Sequence, residues 1–254
     1  MPKLKDGFFE KWSNQTAYVI GYFLADGDMS VNKRGSHYIG FTSTDRELLI
    51  KIRKLIGTKQ KIGDKKLYSS NQKRAYRIQI GSKKYFNDVC KLGFNKGQGL
   101  VKLELIPAIY FRHFLRGYFD GDGNVSFGKY KSKSGPKTIL LTRFAAGNKK
   151  LLESLLFNMR RNMPITGGSI YKNSRGYHLS FSINDSLLLF YQLYTKVPFA
   201  QRLERKYNIF SKAIRYWRGR SSAGLERLPV TQEVAGSNPV APVQISSGPP
   251  VFYF

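Results

Sequence analysis

Leu115-Arg116-Gly117-Tyr118-Phe119-Asp120-Gly121-Asp122-Gly123-Asn124 restates, 96 residues on, the stretch Val19-Ile20-Gly21-Tyr22-Phe23-Leu24-Ala25-Asp26-Gly27-Asp28. Each is an apolar helical run with a glycine in its middle, closed by a small residue, an acid and a glycine. A motif that occurs twice implies two similar units in one chain. Gly21 and Gly117 carry no side chain, so two such helices can approach closely. Asp26 and Asp122 then fall side by side at the helix ends, at the base of a pseudo-two-fold axis. Two carboxylates that close are unfavourable unless a cation lies between them. Mg²⁺ binds through one or two carboxylates plus water and phosphate oxygens, which suits so open a pair.

Aligning the two motifs brings the rest of each half into step. After the first motif come a polar strand from Asp28 to Arg34, a turn at Gly35 and a strand around Tyr38 to Thr42. Asp45 to Ile56 has apolar residues at helical spacing, with Thr44 placed to cap it. A hairpin over roughly 60–81 puts Tyr76, Ile78 and Ile80 on one face and Arg77 and Gln79 on the other, and Lys83 to Leu92 reads as a helix. The second half repeats the order: a strand from Asn124 to Tyr130, a loop from Lys131 to Lys137, a strand from Thr138 to Ala145, a helix over Leu151 to Met159, a hairpin over 165–183, and helices at Ser186 to Tyr194 and Leu203 to Trp217. The class is α+β, with two pseudo-symmetric αββαββα units. Their expected bounds are 1–95 and 107–220, joined by a Gly- and Lys-rich linker at 96–106, where Pro107 suits the first turn of the second motif helix.

Forty-three Lys and Arg stand against 16 Asp and Glu, a formal charge of +27. A surplus this large repels itself in a compact chain and points to a polyanionic partner. The segment 221–254 does not share that character: removing its Arg227, Glu226 and Glu233 leaves +28 upstream. It reads either as a disordered tail or as read-through into a neighbouring tRNA gene, because Val234-Ala235-Gly236-Ser237-Asn238-Pro239 back-translates to a string like a tRNA T-arm. One cysteine, Cys90, excludes an internal disulfide and a cysteine-based zinc site, and His37, His113 and His178 have no ligand spacing. Asp120 to Asn124 opens like a calcium loop, but Val125 and Lys131 stand where that loop needs Gly and Glu. The N-terminus lacks a signal-peptide core, and the longest apolar run, Leu187 to Tyr194, is too short to cross a bilayer. A soluble intracellular protein is expected, in a bacterial cytoplasm or nucleoid or in an organelle.

The two motifs, together with the lead-in Ile106-Pro107 and Phe111-Arg112-His113-Phe114-Leu115-Arg116, resemble the LAGLIDADG homing endonucleases in their single-chain, two-motif form. The resemblance covers about residues 12–217. It implies that the two four-stranded antiparallel sheets form a saddle over the DNA major groove. It also implies that the motif acids share divalent metal at two scissile phosphates. Carried over residue by residue, the catalytic acids are Asp26 and Asp122, and the carbonyls of Ala25 and Gly121 are further candidate ligands. The earlier acid of the motif is Asp120 in the second copy but Leu24 in the first. Family members also place a basic residue near the metals, and Lys96 and the Arg205-Lys206 pair are the candidates.

Counting outward from each acid, the DNA face of the first sheet should show Ser30, Asn32, Arg34, Tyr38, Thr42, Arg77 and Gln79. That of the second should show Ser126, Tyr130, Arg143, His178 and Ser180. The expected activity is site-specific double-strand DNA cleavage by a monomer, with Mg²⁺ (or Mn²⁺ in its place) and a long, non-palindromic target. The rival readings are an intron RNA maturase and a non-cleaving DNA-binding regulator on the same fold. A chain that opens on Met1 without flanking splicing-domain sequence is expected to be free-standing or intron-encoded, serving intron homing.

Overall fold

A computed structural model describes residues 7–65, 74–94, 102–132 and 134–218. Lys96, most of the 96–106 linker and the 221–254 segment lie outside the described residues. The first unit runs α1 (Asn14–Asp26), β1 (Gly27–Val31), β2 (His37–Ser43), α2 (Arg46–Ile56), β3 (Ile62–Asp64), β4 (Tyr76–Gly81) and α3 (Lys83–Lys91). The second runs α4 (Ala108–Asp122), β5 (Gly123–Ser132), β6 (Gly135–Ala146), α5 (Lys149–Asn162), β7 (Ser169–Asn173), β8 (Gly176–Phe181) and α6 (Ile183–Tyr194), and α7 (Glu204–Arg218) follows. Each unit holds one antiparallel four-stranded sheet, in the orders β1-β2-β4-β3 and β5-β6-β8-β7.

The strands alternate as a half-buried sheet should. Ile39, Phe41, Ile78 and Ile80 are fully buried under the helices of the first unit, and Leu140, Thr142, Phe144, Leu179 and Phe181 form the buried face of the second sheet. The registers Phe41↔Ile78 and Phe144↔Leu179 place these pairs at equivalent points of the two sheets. Between the units, α1 packs along α4, with the backbone of Phe114 and Tyr118 against Gly21 and that of Tyr18 and Tyr22 against Gly117.

Four local expectations are corrected. Asp45 rather than Thr44 caps α2: its carboxylate accepts from the Glu47 and Leu48 amides, because Asp45 is the last residue with extended backbone. The loop expected at Lys131 to Lys137 is a tight hairpin, with β5 reaching Ser132 and β6 starting at Gly135. The long hairpin is supported from below, where Phe127 packs on Tyr216 and Trp217 at the end of α7. Pro107 is the residue before the first turn of α4, with φ −59° and ψ 137°, rather than within it. The first strand stops at Val31, so Asn32 and Arg34 lie in the turn beyond it. There the Asn32 side-chain oxygen accepts from the Arg34 amide (3.0 Å) and the Ser36 amide (2.8 Å).

Candidate active site

Ser13 starts α1 by accepting from the Thr16 amide at 3.0 Å. Thirteen residues later the helix ends on Asp26, and α4 ends in the same way on Asp122. The two helices cross at their glycines. A methyl group added at Gly21 would run into the Phe114 carbonyl, and one added at Gly117 would run into the Tyr18 carbonyl, the same contact seen from the other side of the axis. Backbone thus touches backbone where the helices cross, and at the helix ends Gly121 lies against Ala25 and the Asp26 carboxylate. A tyrosine next to each glycine ties the helix to its own sheet: Tyr22 Oη donates to the Thr42 carbonyl (2.5 Å) and Tyr118 Oη to the Ala145 carbonyl (2.6 Å).

The two acids lie near enough for their charges to be felt at one another. Burial raises both Asp26 and Asp122 above the ordinary carboxylate range, and the neighbouring Asp26 charge helps push Asp122 up to about 7. Tyr22, Lys206 and Lys65 pull Asp26 back down. Lys206 is buried beside them. Its Nζ donates to the Phe119 carbonyl, to that of Asp120 (3.0 Å) and to that of Gly121 (3.4 Å), the last turn of α4. Burial brings its ammonium down to about 8. Arg205, its sequence neighbour, instead lines a polar cleft with Thr44, Asp45, Arg46 and Tyr76.

A buried polar network around Asp120 and Arg116 was not legible from the motif. Asp120 is 1% exposed and accepts from Tyr18 Oη (2.8 Å), Tyr194 Oη (2.9 Å) and the Leu203 amide at the start of α7 (2.9 Å). Arg116, fully buried one turn earlier, donates to the carbonyls of Leu193 (3.1 Å) and Gln201 (2.7 Å) and meets His113 Nδ1 at 3.0 Å. Burial beside Arg116 and Arg112 holds His113 down to about 3, so its imidazole is neutral and accepts. The polar residues Arg116 and Asp120 inside an otherwise apolar helix were the one available signal for this network.

On the sheet faces turned away from the helices, the registers gather most of the sequence candidates. Ser30 pairs with Tyr38 and Thr42 with Arg77, and Gln79 lies opposite Gly40. In the second sheet Arg143 pairs with Ser180, and Ser126, Tyr130 and His178 share their face. Asp28, Asn124 and Tyr171 occupy the same faces and were missed. Asp28 and Asn124 follow the motif acids by two residues, so strict alternation already contained them, whereas Tyr171 is revealed only by its pairing with His178.

Among the described residues, no cluster of three or more His, Cys, Asp and Glu converges. The donor set at the helix ends is a pair of carboxylates with backbone carbonyls nearby. That set fits an oxygen-seeking cation that completes its shell with water and phosphate oxygens, and it does not fit a closed zinc site. No helix among the described residues is long and apolar enough to cross a membrane.

Residues 13–92 match the LAGLIDADG-like domain family. Among curated proteins none matches at a significant level. Among solved structures, the homing endonuclease I-WcaI bound to its DNA recognition sequence superposes with a TM-score of 0.57 at 16% identity, covering 79% of this chain and 90% of that one. The K262A mutant of I-SmaMI gives a TM-score of 0.53 at 19% identity over 85% and 97%. I-SmaMI bound to uncleaved DNA target in the presence of calcium ions gives 0.51 at 18% over 86% and 97%. The first repeat thus matches the LAGLIDADG-like domain family in sequence, and the two-unit fold of the chain is that of the homing endonucleases I-WcaI and I-SmaMI.

Proposed function

We propose that this chain is a site-specific DNA endonuclease that cuts both strands of a long, non-palindromic target as a monomer, with Mg²⁺ as the working cation. The observation that carries the reading is the pair Asp26 and Asp122, brought together at the ends of two helices in backbone contact. The likeness to I-SmaMI bound to cleaved DNA, and to I-WcaI on its recognition sequence, supports DNA as the partner. The net charge of +27 supports it independently.

In this reading Asp26 and Asp122 hold the cations, with the Ala25 and Gly121 carbonyls as further ligands. A bound divalent ion lowers the pKa of water and stabilises charge on the phosphate and the leaving oxygen. Lys206 Nζ neutralises the carbonyl end of α4 and, at about 8, can take up or return a proton near neutral pH. Lys96 is the candidate for the equivalent place after the first repeat. Ser30, Tyr38, Thr42, Arg77 and Gln79 on one sheet, and Ser126, Tyr130, Arg143, His178 and Ser180 on the other, contact bases and backbone. Asn32 and Arg34 reach DNA from the turn beyond β1.

The test is selection from a randomised duplex library with the full chain in Mg²⁺, using Ca²⁺ and the Asp26→Asn/Asp122→Asn variant as controls. Discrete double-strand breaks that disappear in the variant are expected. Selective DNA binding that never yields breaks would replace the reading with a regulator, and binding confined to intron RNA would replace it with a maturase.

A further inference from the structure

The innermost rung of the first sheet carries an acid on the face that the proposed function turns toward DNA. Asp28 lies two residues beyond Asp26 and pairs in register with Gly40 on the next strand. Its Oδ2 accepts from Arg77 Nη2 at 2.6 Å. Arg77 sits one strand further over, on β4, so the ion pair spans β2. It can do so because β2 has a glycine at the crossing: a Cβ added at Gly40 would lie 2.5 Å from Asp28 Oδ1. Both side chains stay partly open, at 42% for Asp28 and 35% for Arg77.

The second sheet solves the same place differently. The registers Gly27↔Phe41 and Gly123↔Phe144 align Gly40 with Arg143, and Asp28 with Asn124. There the arginine rises from the middle strand itself. Its neighbour Asn124 has a neutral amide whose oxygen accepts from the Ser126 hydroxyl at 3.0 Å. Both guanidiniums are left short of partners, since the Nε atoms of Arg77 and Arg143 are buried without a hydrogen bond among the described residues. An exposed acid on a surface meant for a polyanion is costly unless it has a specific use.

We infer that Asp28 is a specificity-determining residue: with Arg77 it reads one G·C pair at the innermost position of the first half-site. The guanidinium supplies donors to guanine O6 and N7. Asp28 Oδ1, which Arg77 leaves free, accepts from the cytosine N4 amino group. Together they match the complete major-groove edge of a G·C pair, and no other base pair offers that order of acceptors and donor. Asn124 and Arg143 lack the pure acceptor, so the other half-site should tolerate more at the matching position. The inference rests on the reading of these sheet faces as the DNA-contacting surface.

The test uses the full chain and the randomised duplex library, read for binding in Ca²⁺ and for cleavage in Mg²⁺. The wild type should prefer G·C at one innermost pair by about tenfold or more. Asp28→Asn should flatten that position alone, with an unchanged melting curve. Gly40→Ala, which pushes the carboxylate off its seat, should do the same. Unaltered profiles in both variants, or an equal loss at every position, would overturn the inference and leave the nuclease reading standing. Selective binding without cleavage, with the same position flattened, would overturn the nuclease and keep the base readout. A wild type that neither binds nor cuts selectively would overturn both.

Discussion

Leu24 and Asp120 hold the same position in the two motifs, yet only Asp120 is locked inside the protein. Leu24 is an apolar neighbour of the core, while Asp120 joins α1, α4, α6 and the start of α7 through two tyrosine hydroxyls and one backbone amide. Burial raises the Asp120 carboxyl, and Lys206, Tyr18 and Tyr194 draw it back. The pseudo-symmetry of the chain is therefore broken at a site that helps tie α7, and with α7 the Lys206 ammonium, to the last turn of α4.

Replacing Asp120 with leucine copies the first repeat and strands the Lys206 and Arg116 charges inside the protein. Loss of one member of a buried charge network costs about 3–5 kcal/mol. Equilibrium denaturation of Asp120→Leu should show that loss, with Asp120→Asn falling less because it keeps part of the hydrogen bonding. A Leu variant as stable as the wild type would remove Asp120 from the framework.

The helix crossing tolerates no added atom. Gly21→Ala and Gly117→Ala each force a methyl group into the partner helix's backbone, so each should destabilise by about 3 kcal/mol or more. The two losses should be alike, because the contacts are related by the axis. Gly128→Ala is the matched control, since a Cβ there meets nothing within 4 Å. Urea melts of the three variants settle the comparison.

Asp122, pushed up to about 7 from an ordinary 3.8, binds its proton more tightly in the folded protein than in the unfolded chain. Its contribution to stability is therefore fully present below the unfolded value and is lost as pH rises through about 7. Without divalent ions, the melting temperature of the wild type should fall between pH 4 and 7 more steeply than that of Asp122→Asn. Divalent cation requires the ionised form, so its stabilising effect should grow over the same interval and be small in the variant. Calorimetry with EDTA and with Ca²⁺ at several pH values reads both effects.

The basic surplus makes affinity for DNA a matter of salt. Each neutralised phosphate contributes a slope of about −0.9 to the log–log plot of affinity against salt concentration. Six or more such contacts should weaken binding by about a thousandfold or more between 50 and 200 mM salt. Fluorescence anisotropy on a labelled duplex gives the slope, and a flat response would separate the charge from nucleic-acid binding.

Much of this architecture is legible in the sequence because it is local. The helical spacing of Leu48, Leu49, Ile52 and Leu55, and the alternation of Ile78 with Gln79, each report one element's buried face from a handful of neighbouring residues. The errors are local too, and they fall at element ends. Asp45 displaced Thr44 as the cap of α2, and Asn32 closed a turn where a strand was expected, because a side chain that can hydrogen-bond its own backbone competes with the ladder.

By itself the sequence determined that there are two repeats, that each ends a helix on an acid, and that both sheets keep an apolar inner face. Repetition and periodicity are properties of the chain and need no partner to be seen. Only the tertiary structure decided that Lys206 reaches back 86 residues to the Asp120 carbonyl, that Asp120 takes the Leu203 amide, and that Arg77 crosses a glycine to reach Asp28. Such partners are chosen by packing, where a buried or crowded charge must be met by whichever group the fold brings within 3 Å or so. No spacing in the chain encodes that choice.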